Sequence, residues 1–337
     1  MVKSFFNFFK AQQCYFTILA LCFIAIINPG ETSANQISTK TLIAVGGSSG
    51  QLEIWNANKS LVKSSFQAHT SNIWQLKFIP TLNYLISCSD DAYIKVWSTL
   101  TWSLNITYSG HKPSGVTSLE QIDDFTIASG STNGSIHVWD IQTATQIKTI
   151  DQNEMAIFSL LLLTNDLLAA GLNTGKIQIW NWTNESLTNT LSSSACIYYL
   201  IKVNHSLLAS AKSDSTIDIW NFFEGRNLFT LRGHTSLVNA LKMIQPNVLA
   251  SASSDSVINL WDLSSYTLIR ILKGHVSQIR KSLDLSLSNM LISGSYDSKI
   301  IMWNVTTGQE FDQICASFQV SSLVIVGETK NGDLIIH

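Results

Sequence analysis

The chain has 337 residues, a formal net charge of -2 and 13% charged residues, so it carries no basic excess with which to neutralise a phosphate backbone. Hydrophobic residues make up 45%, enough for a full core, which argues against a disordered chain. The chain is long for one ordinary core, a limit that repeat architectures escape because each unit packs only on its neighbours.

The first element is an apolar run, CYFTILALCFIAII at residues 14–27, preceded by Lys3 and Lys10. It falls short of the roughly 18–20 residues that span a bilayer. Asn28-Pro29-Gly30 then breaks any helix, and Thr32-Ser33-Ala34 offers small residues for cleavage. Residues 1–34 therefore read as a secretory signal peptide, which places the protein in the secretory pathway or outside the cell. A membrane anchor is the alternative, because Phe5, Phe6, Phe8 and Phe9 extend the apolar stretch. A leader that does not function would leave the protein in the cytoplasm. Asn58, Asn105, Asn133, Asn181, Asn184, Asn204 and Asn304 stand in N-x-S/T sequons, but a chain this rich in Asn, Ser and Thr holds about five by chance. Cys14, Cys22, Cys88, Cys196 and Cys315 are too widely spaced for a disulfide framework or a CxxC metal pair and read as buried free thiols.

From residue 41 onward the sequence repeats. Trp55, Trp97, Trp139, Trp180, Trp220, Trp261 and Trp303 follow one another at steps of 42, 42, 41, 40, 41 and 42 residues. Each closes a short alternating run: LEIW, IKVW, IHVW, IQIW, IDIW, INLW and IIMW. Alternation of period two predicts half-buried strands. One unit reads as four strands, VNALKMI (238–244), VLASAS (248–253), VINLW (257–261) and TLIRIL (267–272), separated by turn residues. The first unit, starting at TLIAVGG, lacks an innermost strand, and FQVSSLVIV (318–326) supplies one, so the two chain ends are expected to complete one unit together. GDLIIH (332–337) resembles the start of a further second strand. Gly46-Gly47-Ser48-Ser49-Gly50 has no following Lys-Ser/Thr or helix and reads as a strand-to-strand turn, not a phosphate loop.

Gly110-His111, Gly233-His234 and Gly274-His275, with Ala68-His69 in the same place, precede their tryptophans by 27 or 28 residues. With the 40–42-residue period, these features resemble the WD-repeat family over nearly all of the chain beyond the leader. The resemblance implies an all-β fold over residues 35–337: a seven-bladed β-propeller of four-stranded antiparallel blades, its ring closed by N- and C-terminal strands sharing one blade. It also implies a buried hydrogen-bonded set in each well-formed blade. Three sets are complete, His69/Ser87/Asp91/Trp97, His234/Ser251/Asp255/Trp261 and His275/Ser293/Asp297/Trp303. A fourth has His111, Ser129 and Trp139 with Asn133 in place of Asp. The blade of Trp220 keeps Ser210 and Asp214 without a His. Those of Trp55 and Trp180 have largely lost the set and are expected to be softer.

Ser, His and Asp are also the ingredients of a nucleophilic triad. A nucleophile must face a cavity, however, and a trio repeated around a ring behind a tryptophan reads as scaffolding. No catalytic residue, metal or cofactor is expected; His137 and His205 are isolated.

Propellers of this family mostly bind peptides or protein surfaces on the narrow face, and the resemblance implies the same here. The residue after the first apolar residue of each innermost strand should reach that rim: Trp74, Thr117, Phe158, Tyr198, Asn239, Arg280 and Ser321. Two residues earlier stand Asn72, Ala156, Cys196, Leu237, Gln278 and Gln319, and just before the turn stand Asp90 and Tyr296. The binding candidates are Trp74, Phe158, Tyr198, Arg280, Tyr296, Asn72, Gln278 and Asp90, because aromatics and Arg are enriched at hot spots. Phe158 and Tyr198 also have a competing reading as core filler in blades without the His. The function expected is a non-catalytic scaffold for a protein or peptide ligand. A secreted or luminal glycan- or matrix-binding propeller and a propeller enzyme are the alternatives. Nucleic acid is not an expected partner, and membrane contact requires an uncleaved leader.

Overall fold

A short alternating strand has unpaired backbone groups on both edges and is stable only inside a sheet. The computed structural model describes residues 41–151, 155–286, 290–330 and 333–335, all within the unit Ile37–His337. The leader, residues 1–34, lies outside the described residues. No helix among the described residues is long and apolar enough to cross a membrane.

The described strands form five four-stranded antiparallel sheets and one nine-stranded sheet. In a four-stranded sheet such as Ile73–Ile79, Tyr84–Ser89, Ile94–Ser98 and Leu104–Tyr108, the strands pair in sequence order from the inside outward. The nine-stranded sheet runs from Glu310–Cys315 through Ile279–Leu285 to Val320–Lys330, then Leu42–Gly47 and out to Leu61–Gln67. Asp333–Ile335 pairs back onto the end of Val320–Lys330. Seven separate blades are therefore not what the pairing gives. Two four-strand units run together through a single parallel pairing of Lys281 with Ser322. The cause is local: the ladder of Ile279–Leu285 slips between Ile279 and Leu283, which frees Lys281 to meet the neighbouring strand.

The innermost strands lie side by side in a closed circuit, from Ile73–Ile79 through Ile279–Leu285 to Val320–Lys330 and back. Side chains tie each to the next. Ser118 Oγ accepts from Leu160 N at 2.7 Å, Ser159 Oγ from Leu200 N at 3.0 Å, and Gln75 Oε1 from Leu119 N at 3.0 Å. Where the chain ends meet, Ser322 Oγ accepts from Leu76 N at 2.9 Å and Asp284 Oδ2 from Ile325 N at 2.9 Å. The apolar core lies between neighbouring sheets. One cluster joins Ile86, Ile94 and Val96 to Leu119, Ile127 and Trp139 of the next sheet.

Within the sheets the tryptophans divide by what receives the indole N–H. Trp97, Trp139, Trp220, Trp261 and Trp303 donate to Ser87, Ser129, Ser210, Ser251 and Ser293 at 2.7–2.9 Å and are at most 6% exposed. Trp55 and Trp180 stand opposite strands with Val45 and Ala170 at the serine position. With no hydroxyl there, they donate to Glu53 and Gln178 on their own strands and remain half-buried.

Three histidines extend the relay. Ser87, Ser251 and Ser293 donate to Nε2 of His69, His234 and His275 at 2.7–2.8 Å, and Nδ1 of each donates to Asp91, Asp255 or Asp297 at 2.8–3.0 Å. Burial holds His69 below the usual imidazole range despite the pull of Asp91. Burial works against the Asp91 carboxylate, but the His69 hydrogen bond and charge and two backbone amides outweigh it and bring it to about 2. His111 differs. Its Nδ1 faces Ser135 Oγ at 3.2 Å, and Ser135 in turn donates to Asn133 Oδ1 at 2.8 Å, so a serine stands between the imidazole and the amide. The blade of Trp220 holds a buried Lys212–Asp218 pair at 2.8 Å instead of a histidine.

The turns between second and third strands demand positive φ. At Gly50, φ is +85°, and an added Cβ would lie 2.2 Å from the His69 carbonyl oxygen. Gly225, in a turn between a third and a fourth strand, has φ +69° with the nearest atom at 3.4 Å. Gly225→Ala is expected to lose about 1–2 kcal/mol from the backbone alone. Gly50→Ala should lose clearly more, because the clash adds to that cost. Urea unfolding midpoints of the two variants check this, and equal shifts would refute the role of the His69 contact.

Candidate binding rim

Each innermost strand begins with a fully buried β-branched residue: Ile73, Val116, Ile157, Ile197, Val238, Ile279 and Val320 are all 0% exposed. The ladder then skips the next residue. Ile73 pairs with Ser89 and Gln75 with Cys88, which leaves Trp74 unpaired. The same slip leaves Thr117, Phe158, Tyr198, Asn239 and Ser321 unpaired, and Arg280 opens the longer slip before Leu283. These are β-bulges, which bend a strand and re-aim the extra side chain.

The bulge residues behave in two ways. Thr117, Asn239 and Ser321 are at most 3% exposed and tie to the next strand. Thr117 Oγ1 donates to the Ile157 carbonyl, Asn239 Nδ2 to that of Ile279 at 2.7 Å, and Ser321 Oγ to that of Ile73 at 2.8 Å. Each tether therefore grips the backbone immediately before Phe158, Arg280 or Trp74. The four large residues converge. Trp74 and Phe158 lie 6.5 Å apart between ring centroids, and Phe158 stacks on Tyr198 at 5.0 Å and 11°. The Arg280 guanidinium sits 6.0 Å over Trp74 and 5.2 Å over Tyr296. Asn72, Trp74, Tyr198, Arg280 and Tyr296 line one shallow cleft with room for little more than a water, about 10 Å³.

Asp90 accepts from Trp74 Nε1 at 2.5 Å and so fixes the indole plane. Burial raises its carboxyl pKa, against the effect of that hydrogen bond. Gln278 stands to one side, accepting from Ser254 Oγ at 3.4 Å, and is not in the cleft. Lys281, 9% exposed, was not singled out by sequence and forms the floor. Its Nζ donates to the Thr117 carbonyl at 2.9 Å and to that of Phe158, and burial brings its pKa down to about 8. Below it opens a cavity of about 430 Å³ lined by the ion pairs Lys77–Glu120 at 2.9 Å and Lys242–Asp284 at 2.6 Å. No charge pattern in the sequence could reveal Lys281, because its position depends on the slipped ladder.

The serines of the His-containing sets are fully buried, and each oxygen both accepts from an indole and donates to an imidazole. Among the described residues no group of three His, Cys, Asp or Glu side chains could hold a metal ion. Cys88 is buried, whereas Cys196 and Cys315 are only half-buried, which corrects the expectation that all the thiols lie inside.

The WD domain, G-beta repeat model matches residues 60–98, 102–140, 225–262 and 266–304. These are the four repeats that carry a histidine relay. The chain is similar to transcription initiation factor TFIID subunit 5 of Drosophila melanogaster, 45% identical over 14% of this chain and 7% of that protein. It is similar to COMPASS component SWD3 of Saccharomyces cerevisiae, 33% identical over 32% of this chain and 34% of that one. The chain thus spans about a third or less of these relatives. The crystal structure of the computationally designed Ika8 protein shares the fold, with a TM-score of 0.67 at 24% identity, covering 90% of this chain and 94% of that one. These relatives correct the secretory or extracellular location expected from residues 14–27: they are named as parts of a transcription initiation factor and of COMPASS, and neither name is that of a secreted protein. A short apolar run reports hydrophobicity and is weak evidence of destination. The repeat matches, the strand order within each sheet and the histidine relays together make this chain a member of the WD40 β-propeller family.

Proposed function

We propose that the protein is a non-catalytic scaffold that holds a peptide or protein segment on the rim formed by Trp74, Phe158, Tyr198 and Arg280. The observation that carries this reading is the convergence of three aromatic rings and a guanidinium on one mouth, each on a bulge next to a fully buried anchor. Such groups dominate binding energy because they offer large contact area at low entropic cost. Among the described residues the cleft's cations are Arg280 and Lys281, the latter engaged with two carbonyls, whereas a nucleic-acid backbone calls for a row of free cations. We also propose that the nine-stranded sheet acts as two adjoining blades, making seven. The closed circuit of innermost strands and the single-residue junction at Lys281 support that count.

Trp74→Ala is expected to weaken partner binding by about 2 kcal/mol, roughly 30-fold. The check is quantitative co-purification of the partner from cells expressing the variant in place of wild type. Phe311→Ala, on an outer strand and 49% exposed, serves as the comparison. A partner retained equally by both variants would place the site elsewhere.

A further inference from the structure

Resting on the reading of the rim as a peptide site, we infer that its ligand is an acidic peptide segment, with a carboxylate docked on Arg280. Among the described residues Arg280 makes no ion pair and no hydrogen bond, and its Nε is buried without a partner. The Asn72 Oδ1 in the same cleft is likewise buried and unpartnered. Buried polar groups left unpaired are costly, so these two define what a ligand must bring: an acceptor for the guanidinium and a donor for the amide oxygen. A peptide supplies both, with a carboxylate for Arg280 and a backbone or side-chain N–H for Asn72.

The aromatic rings argue against the opposite charge. The faces of Trp74 and Tyr296 are already occupied by the Arg280 guanidinium, and Trp74 also carries Lys281 Nζ at 5.9 Å. A cationic ligand would have to displace these internal cations. The clamp instead holds the guanidinium fork in a fixed plane, so little entropy is lost when a carboxylate bonds to it. Carboxylate rather than phosphate fits the charge available. Lys281 Nζ is engaged with two carbonyls, and the Asp90 carboxylate stands beside Trp74, so one free guanidinium faces a monoanion.

The test selects binders from a random peptide display library on the full chain and measures them against Trp74→Ala, Arg280→Met and Arg280→Lys. The expected result is enrichment of Asp and Glu among the selected peptides. Their affinity should fall about 10–100-fold on Arg280→Met, the size of a lost charge-assisted hydrogen-bond pair. Arg280→Lys should recover only part of it, since an ammonium cannot make the fork. Peptides that lose affinity on Trp74→Ala but are neutral or basic and ignore Arg280→Met would overturn the acidic ligand and leave the rim standing. Peptides indifferent to Trp74→Ala as well, or no enrichment at all, would remove the rim as a peptide site.

Discussion

Replacing Trp303 by alanine is expected to destabilise the protein by about 3–5 kcal/mol, a large share of the roughly 5–15 kcal/mol that holds a domain folded. Trp303 is 1% exposed, and its Nε1 donates to Ser293 Oγ at 2.8 Å. The far edge of the indole seals against Gly274, where an added Cβ would lie 2.8 Å from it. Truncation therefore opens a cavity between two sheets and removes one of the partners of a buried hydroxyl. Trp55 makes a sharp comparison. It stands at the same place in its repeat but is half-buried, and its indole bonds to Glu53 on its own strand. Trp55→Ala should lose about half as much or less, because less area returns to water. Trp303→Phe keeps most of the packing and isolates the hydrogen bond, for which a loss of about 1–2 kcal/mol is expected. Urea unfolding followed by circular dichroism checks all three. Equal losses for Trp303→Ala and Trp55→Ala would show that the serine-bound indole adds nothing to the half-buried one.

The same contrast explains what could be read from the sequence. Alternation ending in tryptophan at a fixed period makes the repeat legible, because the apolar residues of such a run, as Ile94, Val96 and Trp97, are buried and leave little freedom at those positions. The relays of His69, His234 and His275 are legible for a similar reason: a buried imidazole must find partners, and Ser and Asp recur at constant offsets. The substitutes are not legible. Val45 and Ala170 give no sign that Glu53 and Gln178 will turn to the indole, nor does Asn133 announce that Ser135 will bridge to His111. The blade count is hidden for another reason. Periodicity counts tryptophans, whereas sheets are defined by backbone pairing, and one slipped ladder at Arg280–Ser282 is enough to join two units. At the rim, sequence placed Trp74 and Arg280 at equivalent positions. It could not show that Thr117, Asn239 and Ser321, equivalent by count, turn their polar atoms to the next strand. Side-chain size decides between those two outcomes: a short polar chain reaches the neighbouring carbonyl, while a ring or guanidinium must go outward.

Acid should unfold this protein partly through His111. The ring is 1% exposed, stacks on His137 at 3.9 Å and 12°, and receives a hydrogen bond from Ser129 Oγ at 2.7 Å. Burial, helped by the neighbouring His137, pushes its pKa down to about 3. Among the groups packed around the pair, Asp151 opposes the shift at His137, which burial nonetheless leaves lowered. The unfolded chain takes up a proton near pH 6.5, while the folded protein resists until about pH 3. Between those values the unfolded state binds more protons, so stability falls with pH by about 1.4 kcal/mol per unit from this residue alone. Above pH 6.5 the contribution is complete and flat. The Asp91 carboxylate, brought to about 2, acts in a lower window: its stabilisation is lost only as pH falls below the usual carboxylate range. Unfolding free energies measured from pH 7 down to pH 5 should therefore decline more steeply for wild type than for His111→Gln, by about 1.4 kcal/mol per unit below pH 6.5. The variant will be less stable at pH 7, having lost its imidazole relay, so the slope and not the absolute value carries the test. Parallel slopes would mean that His111 is protonated in the folded protein as readily as in the unfolded one, and that the stacked pair is open to water.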